Sequence, residues 1–133
     1  MDSVAYGFGR LLESGDHEEI VDKVTTALAG VGFGVLSRID VHTTFKEKLD
    51  VDHRPYTILG ACNPVLAQEA LAEEPHVGLL MPCNVVVQKG EGGIEVSIID
   101  AHSLKPLIAE DSPARVAMEK ADGLLRHALD TLN

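Results

Sequence analysis

Two cysteines carry most of the chemical capacity of this chain, each in a similar setting: Cys62-Asn63-Pro64 within "ILGACNPVLA" and Pro82-Cys83-Asn84 within "MPCNVVV". The thiolate is the form of cysteine that attacks or binds metal, so the surroundings of each sulfur decide its use. Asn63 and Pro64 have the residue types of an N-cap and a first helical position, which sets Cys62 just outside a helix N-terminus. Free N–H groups and the helix dipole favour an anion there and lower a thiol pKa. Against this, free cysteine is among the most buried residue types, and a small side chain where strand meets helix needs no chemistry. Cys83 follows after one helix and one turn, which can return both Cys-Asn segments to one end of a sheet. The spacing is not that of a CxxC motif, in which local geometry alone pairs the thiols. Three readings stay open: ligation of a metal or cofactor, reversible disulfide chemistry, or packing.

Other polar residues extend these readings. Structural zinc is nearly always four-coordinate, so two sulfurs need further ligands. His42, His53 and His76 lie in segments near the cysteines, but none forms an HxxxH or HxH pair, and no metal site is assigned. His17, His102 and His127 read as surface residues. Asn63 and Asn84 can each satisfy backbone groups where an element begins, or together line a polar pocket beside the thiols. In "DVDHRPY", Arg54 with Asp52, His53 and Tyr56 forms either a small-anion or carboxylate pocket or an Arg–Asp surface pair. Asp40 is expected to cap the short helix that follows it. The GxSxG, HExxH, Walker A and Rossmann patterns do not occur, and "GEGGIE" belongs to a hairpin rather than a phosphate loop. No catalytic residue and no cofactor is assigned.

The elements that must position these residues follow from periodicity and caps. "VAYGFGRLL" alternates as a strand. Asp16 and Glu19 form a capping box before Ile20, Val24, Ala27, Leu28 and Val31 at helical spacing, and Gly32 stops that helix. "FGVLSRIDV" predicts a strand with Val35, Ser37 and Ile39 on one face and Leu36, Arg38 and Asp40 on the other. "HTTFKEKLDV" predicts a short helix that Thr44 and Glu47 can cap. "RPYTILGAC" is a strand, "NPVLAQEALAEE" a helix, and Pro82 marks a strand entrance. Val85 to Gln88 and Ile94 to Asp100 flank a glycine-rich turn, as in a hairpin. After a loop, Ser112 and Pro113 open a last helix striped by Met118, Ala121, Leu125, Ala128 and Leu132. The order β-α-β-(short α)-β-α-β-β-α predicts an α+β fold with a mainly antiparallel sheet whose one face covers the long helices.

Composition narrows the functions. The 133 residues fit one domain, residues 1–133, and 45% hydrophobic content is enough for a core. A formal charge of −10, from 21 acidic and 11 basic residues, disfavours nucleic acid and anionic membranes. Tryptophan is absent and aromatics reach only 4%, against recognition by stacking. No stretch approaches the ~20 apolar residues of a membrane span. "MDSVAYGFGRLL" lacks a basic segment before an apolar run, so a cytoplasmic location with reduced cysteines is expected.

"GFGVLSRIDV", "LDVDHRPYTILGACNPVLAQEAL" and "VGLLMPCNVVVQ" together resemble the prokaryotic "domain of unknown function three hundred and two" family. The likeness runs over about Gly7 to Asp100, and "ILGACNP" and "PCNVVV" are its most specific parts. The resemblance implies a TATA-binding-protein-like α+β fold with a curved sheet, helices on one side and often a homodimer. It implies no reaction and supplies no catalytic residue. A DNA-binding relative in shape is not a DNA-binding relative in function. Three functions are expected to compete: a homodimeric binding protein for a small ligand or metal near Cys62, Asn63, Cys83 and Asn84, a thiol redox protein, or an interaction module. The last would use "VGLLMPCNVVV" and the final helix as its interface.

Overall fold

The computed structural model describes residues 4–133. Strand β1 (Gly7–Leu12) leads to helix α1 (His17–Gly30), then β2 (Gly34–Asp40), α2 (Val41–Leu49), β3 (Tyr56–Cys62) and α3 (Pro64–Glu73). A 3₁₀ helix, Pro75–Leu80, precedes the hairpin of β4 (Cys83–Lys89) and β5 (Ile94–Ile99). A second 3₁₀ helix, Ala101–Leu107, precedes α4 (Pro113–Asp130). The expected order of strands and long helices is present, with the two 3₁₀ segments in place of plain loops.

The five strands form one sheet in the order β1-β5-β4-β3-β2, and every neighbouring pair is antiparallel. Register divides the residues between two faces. Leu59, Val85, Val96 and Ile98 point to the side covered by helices, and they share one buried cluster with Ile20, Val24 and Leu28 of α1 and Leu125, Ala128 and Leu129 of α4. Both long helices therefore cover the same face, each through its apolar stripe. The stripe of α4 is thus used in the core. The opposite face carries a row in register, Ile39, Ile58, Val86 and Ser97.

Local chemistry explains several joins. Asp16 accepts from the Glu19 N–H (2.9 Å) at the start of α1, and Gly32 takes φ +85° just beyond its end. In the β4–β5 turn, Gly90 N–H donates to the Gly93 carbonyl (2.8 Å), and a Cβ on Gly93 would sit 3.0 Å from the Glu13 Cα.

Three sequence expectations are corrected. A β-bulge between Val35 and Ser37 places an extra residue, Leu36, in β2. Val35 consequently pairs with Ala61 and packs on the core, while Ser37 pairs with Gly60 on the outer face, so the two do not share a side. Helix α2 is not capped by Thr44, which lies inside it and donates to the Asp40 carbonyl (3.4 Å). Asp40 occupies the N-cap position but makes no side-chain cap bond, because its carboxylate is engaged elsewhere.

Candidate functional site

β3 runs between two chemically different regions. At its C-terminal end the chain turns directly into α3. Asn63 accepts from the Leu66 N–H (3.2 Å) through its Oδ1, and Pro64 opens the helix, as its types predict. Cys62 is the last residue of β3 and pairs with Gly34 of β2. Its neighbour Ala61 pairs with Cys83, the first residue of β4. The two Cys-Asn segments thus lie at the same end of the sheet, on adjacent strands.

Cys62, Asn63 and Cys83 line a single cavity of about 70 Å³. Its walls come from the end of the sheet (Phe33, Ala61), from α3 (Leu66, Ala70), from α4 (Ala117, Ala121) and from both 3₁₀ segments (Val77, Leu104). Met81 and Met118 complete it. The walls are aliphatic, aromatic or sulfur-bearing, with the Asn63 amide the polar side chain among them. Both thiols are free and half-buried. Burial, aided by the charge of nearby Cys62, pushes the Cys83 thiol up to about 11. At neutral pH Cys83 is therefore a protonated thiol, a weak nucleophile.

The other residues singled out in the sequence lie apart from this cavity. Asn84 pairs with Gly60 and borders a shallow depression on the outer sheet face, because consecutive strand residues point to opposite sides. The Asn63–Asn84 pocket is therefore not formed. Tyr56 is at the far end of β3 and borders that same outer depression. Arg54 donates to the Gln88 side chain through Nε (3.2 Å) and Nη2 (2.8 Å) rather than to Asp52, which pairs with Lys46 (3.3 Å). His53 packs edge-on against Phe45 and Tyr56, so Arg54, Asp52 and His53 each turn to a different partner. His76 is exposed on the first 3₁₀ segment.

At the N-terminal end of β3 is a network the sequence did not announce. Thr57 is fully buried and donates its hydroxyl proton to Asp40 Oδ1 (2.7 Å). Its oxygen then accepts from His17 Nε2 (3.2 Å), which also faces the Val87 carbonyl (3.1 Å), so His17 carries its proton on Nε2. The His17 side chain is only 10% exposed, correcting its reading as a surface residue. Arg38 donates to Asp40 (3.1 Å) and pairs with Glu18. His42 stacks edge-on to His17 and accepts from the Tyr56 N–H (2.9 Å) through Nδ1. Partial burial opposes ionisation of Asp40, yet Thr57, Arg38 and His42 outweigh it and hold the carboxyl below its ordinary value. Only register links these residues, since Asp40 pairs with Thr57 and Thr57 with Val87. A polar residue on the inner face of an otherwise apolar strand was the available signal.

A second polar group joins α4 to the second 3₁₀ segment. Buried Asp122 accepts from Arg126 Nε (2.9 Å) and faces His102 Nε2 (3.2 Å). Its Oδ1 has no partner among the described residues. Among those residues no group of three or more His, Cys, Asp or Glu side chains is arranged to hold a metal ion. No helix among them is long and apolar enough to cross a membrane.

The family model for the Domain of unknown function DUF302 matches residues 11–132. The chain belongs to the DUF302 family. The match extends beyond the motifs that carry the resemblance, through α4. A crystal structure of an uncharacterized conserved DUF302 protein from Bacillus stearothermophilus is similar, with TM-score 0.83 and 25% identity, covering 96% of this chain and 98% of that one. None of the curated proteins matches the chain. For this DUF302 domain the comparisons support the α+β architecture.

Proposed function

We propose that this DUF302 domain is a non-enzymatic, homodimeric binding protein whose site is the cavity between the ends of β3 and β4. One observation carries the reading: Cys62 and Cys83, separated in sequence by a helix and a turn, meet at the ends of adjacent strands and border one apolar cavity. The volume, about 70 Å³, limits the ligand to an ion or a few heavy atoms, since drug-sized molecules occupy roughly 300–1,000 Å³. Xenon is a suitable neutral probe of such a space. Saturable shifts of the Ala61, Ala117 and Met118 methyl signals under xenon pressure are expected, and Ala117→Leu should abolish them by filling the cavity. Absence of the shifts in the parent chain would overturn the reading.

The dimer reading rests on the sheet face turned away from the helices, where Ile39, in register with Ile58 and Val86, is 51% exposed. The occupant is a second copy of the chain, laid face to face. Light scattering after size exclusion is expected to give a dimer that Ile39→Lys with Val86→Lys converts to monomer. A monomeric parent chain would contradict this part.

Reversible disulfide formation is the second reading, supported by the position of both thiols at one end of adjacent strands beside the same cavity. It requires loss of two titratable thiols on treatment with diamide, with no change in mass beyond two hydrogens.

A further inference from the structure

The chain contains two cysteines and three methionines. Both cysteines, Met81 and Met118 line the same cavity, and the remaining methionine, Met1, lies outside the described residues. Every sulfur-bearing residue of the described chain therefore borders one small space. They arrive there from four different places: the end of β3, the start of β4, the segment just before it, and the middle of α4. No carboxylate and no imidazole lines it.

We propose that the cavity is a site for a soft, monovalent d¹⁰ metal ion, copper(I), held by Cys62 and Cys83 with thioether support from Met81 or Met118. This inference rests on the binding reading above and names its ligand class.

Three considerations select this ion. Thiolate and thioether are soft donors, and copper(I) is the soft member of the common biological ions. Zinc draws its ligands from cysteine, histidine and carboxylate and nearly always needs four, whereas this cavity supplies two such groups. Calcium and magnesium require oxygen ligands, of which the lining offers one amide already used to cap α3. The size agrees as well, since about 70 Å³ suits an ion better than an organic cofactor.

Charge and protons balance simply. Each thiol releases its proton as its sulfur bonds to copper, so one copper(I) and two thiols give a bis-thiolate complex of net charge −1 and two protons. No electron is transferred. A doubly charged ion would also have to leave its hydration shell for an apolar enclosure, at greater cost.

The test is an anaerobic titration of the whole chain with copper(I) supplied as its acetonitrile complex, competed by a bathocuproine chelator. Xenon NMR is run on the same samples. One copper per chain is expected, with apparent affinity rising with pH as the two protons are released. Cys83→Ser should weaken binding at least about a hundredfold, and Met81→Leu with Met118→Leu about tenfold, where tenfold corresponds to 1.4 kcal/mol. The leucine variants keep side-chain volume and so report ligation rather than folding, which circular dichroism checks. Failure to compete for copper, or equal affinity in Cys83→Ser, overturns the metal assignment. If xenon still enters, the binding reading survives that failure; if neither enters, both fall.

Discussion

At the Tyr56 end of β3, a hydroxyl, a carboxylate, a guanidinium and two imidazoles bond to one another and to backbone. At the Cys62 end, about 20 Å away along the strand, two thiols and two thioethers face aliphatic neighbours around a cavity. By residue type the histidine-rich end looks more like an active site. Partnership reverses that impression. The Thr57 proton is used by Asp40, the His17 Nε2 proton by Thr57 and Val87, and the His42 lone pair by Tyr56. That network fixes register between β2, β3, β4 and α1, and the hydrogen-bonding atoms named here are committed to it. The sulfur end holds the side chains whose binding capacity is not taken up by the fold.

That contrast can be tested by damaging each end separately. Thr57→Val should cost the most, about 2–3 kcal/mol in urea unfolding, because it removes a buried hydrogen bond to the Asp40 carboxylate and leaves His17 only the Val87 carbonyl. Cavity uptake of xenon should persist in that variant; its loss would mean that the two ends are not independent. Gly60→Ala acts on the other end. A Cβ there would lie 2.8 Å from Pro82 Cγ and also meet Ser37, so Pro82 must shift, with a cost of about 1–2 kcal/mol. Faster maleimide labelling of Cys83 is expected, with His17 ring signals unchanged.

Asn63→Ala removes the α3 cap and should cost about 1 kcal/mol by thermal unfolding. The smallest effect concerns acid. Asp40 has a lowered pKa in the folded chain, so its contribution is present above the ordinary carboxylate value and is lost as pH falls through the lowered one. Stability should therefore decline below about pH 4, and less steeply in Asp40→Asn. An identical acid profile in the two proteins would remove Asp40 from the account.

The sequence was readable where structure is local. The Asp16 cap, the Asn63-Pro64 helix start and the glycine turn between β4 and β5 each depend on neighbouring residues and were found. The meeting of Cys62 and Cys83 required a guess about chain return that α3 satisfies. What was missed depends on long-range register. Leu36 as an extra residue in β2 has no sequence mark, and it moved Val35 and Ser37 to opposite faces. Asn84 could have been excluded by alternation alone, since Cys83 beside it faces the core. The Arg54–Gln88 and His17–Thr57 bonds join residues far apart in the chain, and many acceptable partners exist for each type.

The claim that the sulfur end is where this domain takes up its ligand is tested most directly by diffraction at the copper absorption edge, from crystals of the parent chain grown with copper(I). One anomalous peak enclosed by Cys62, Cys83, Met81 and Met118 is expected. A peak instead beside His17 and His42, or none within the protein, would contradict the account.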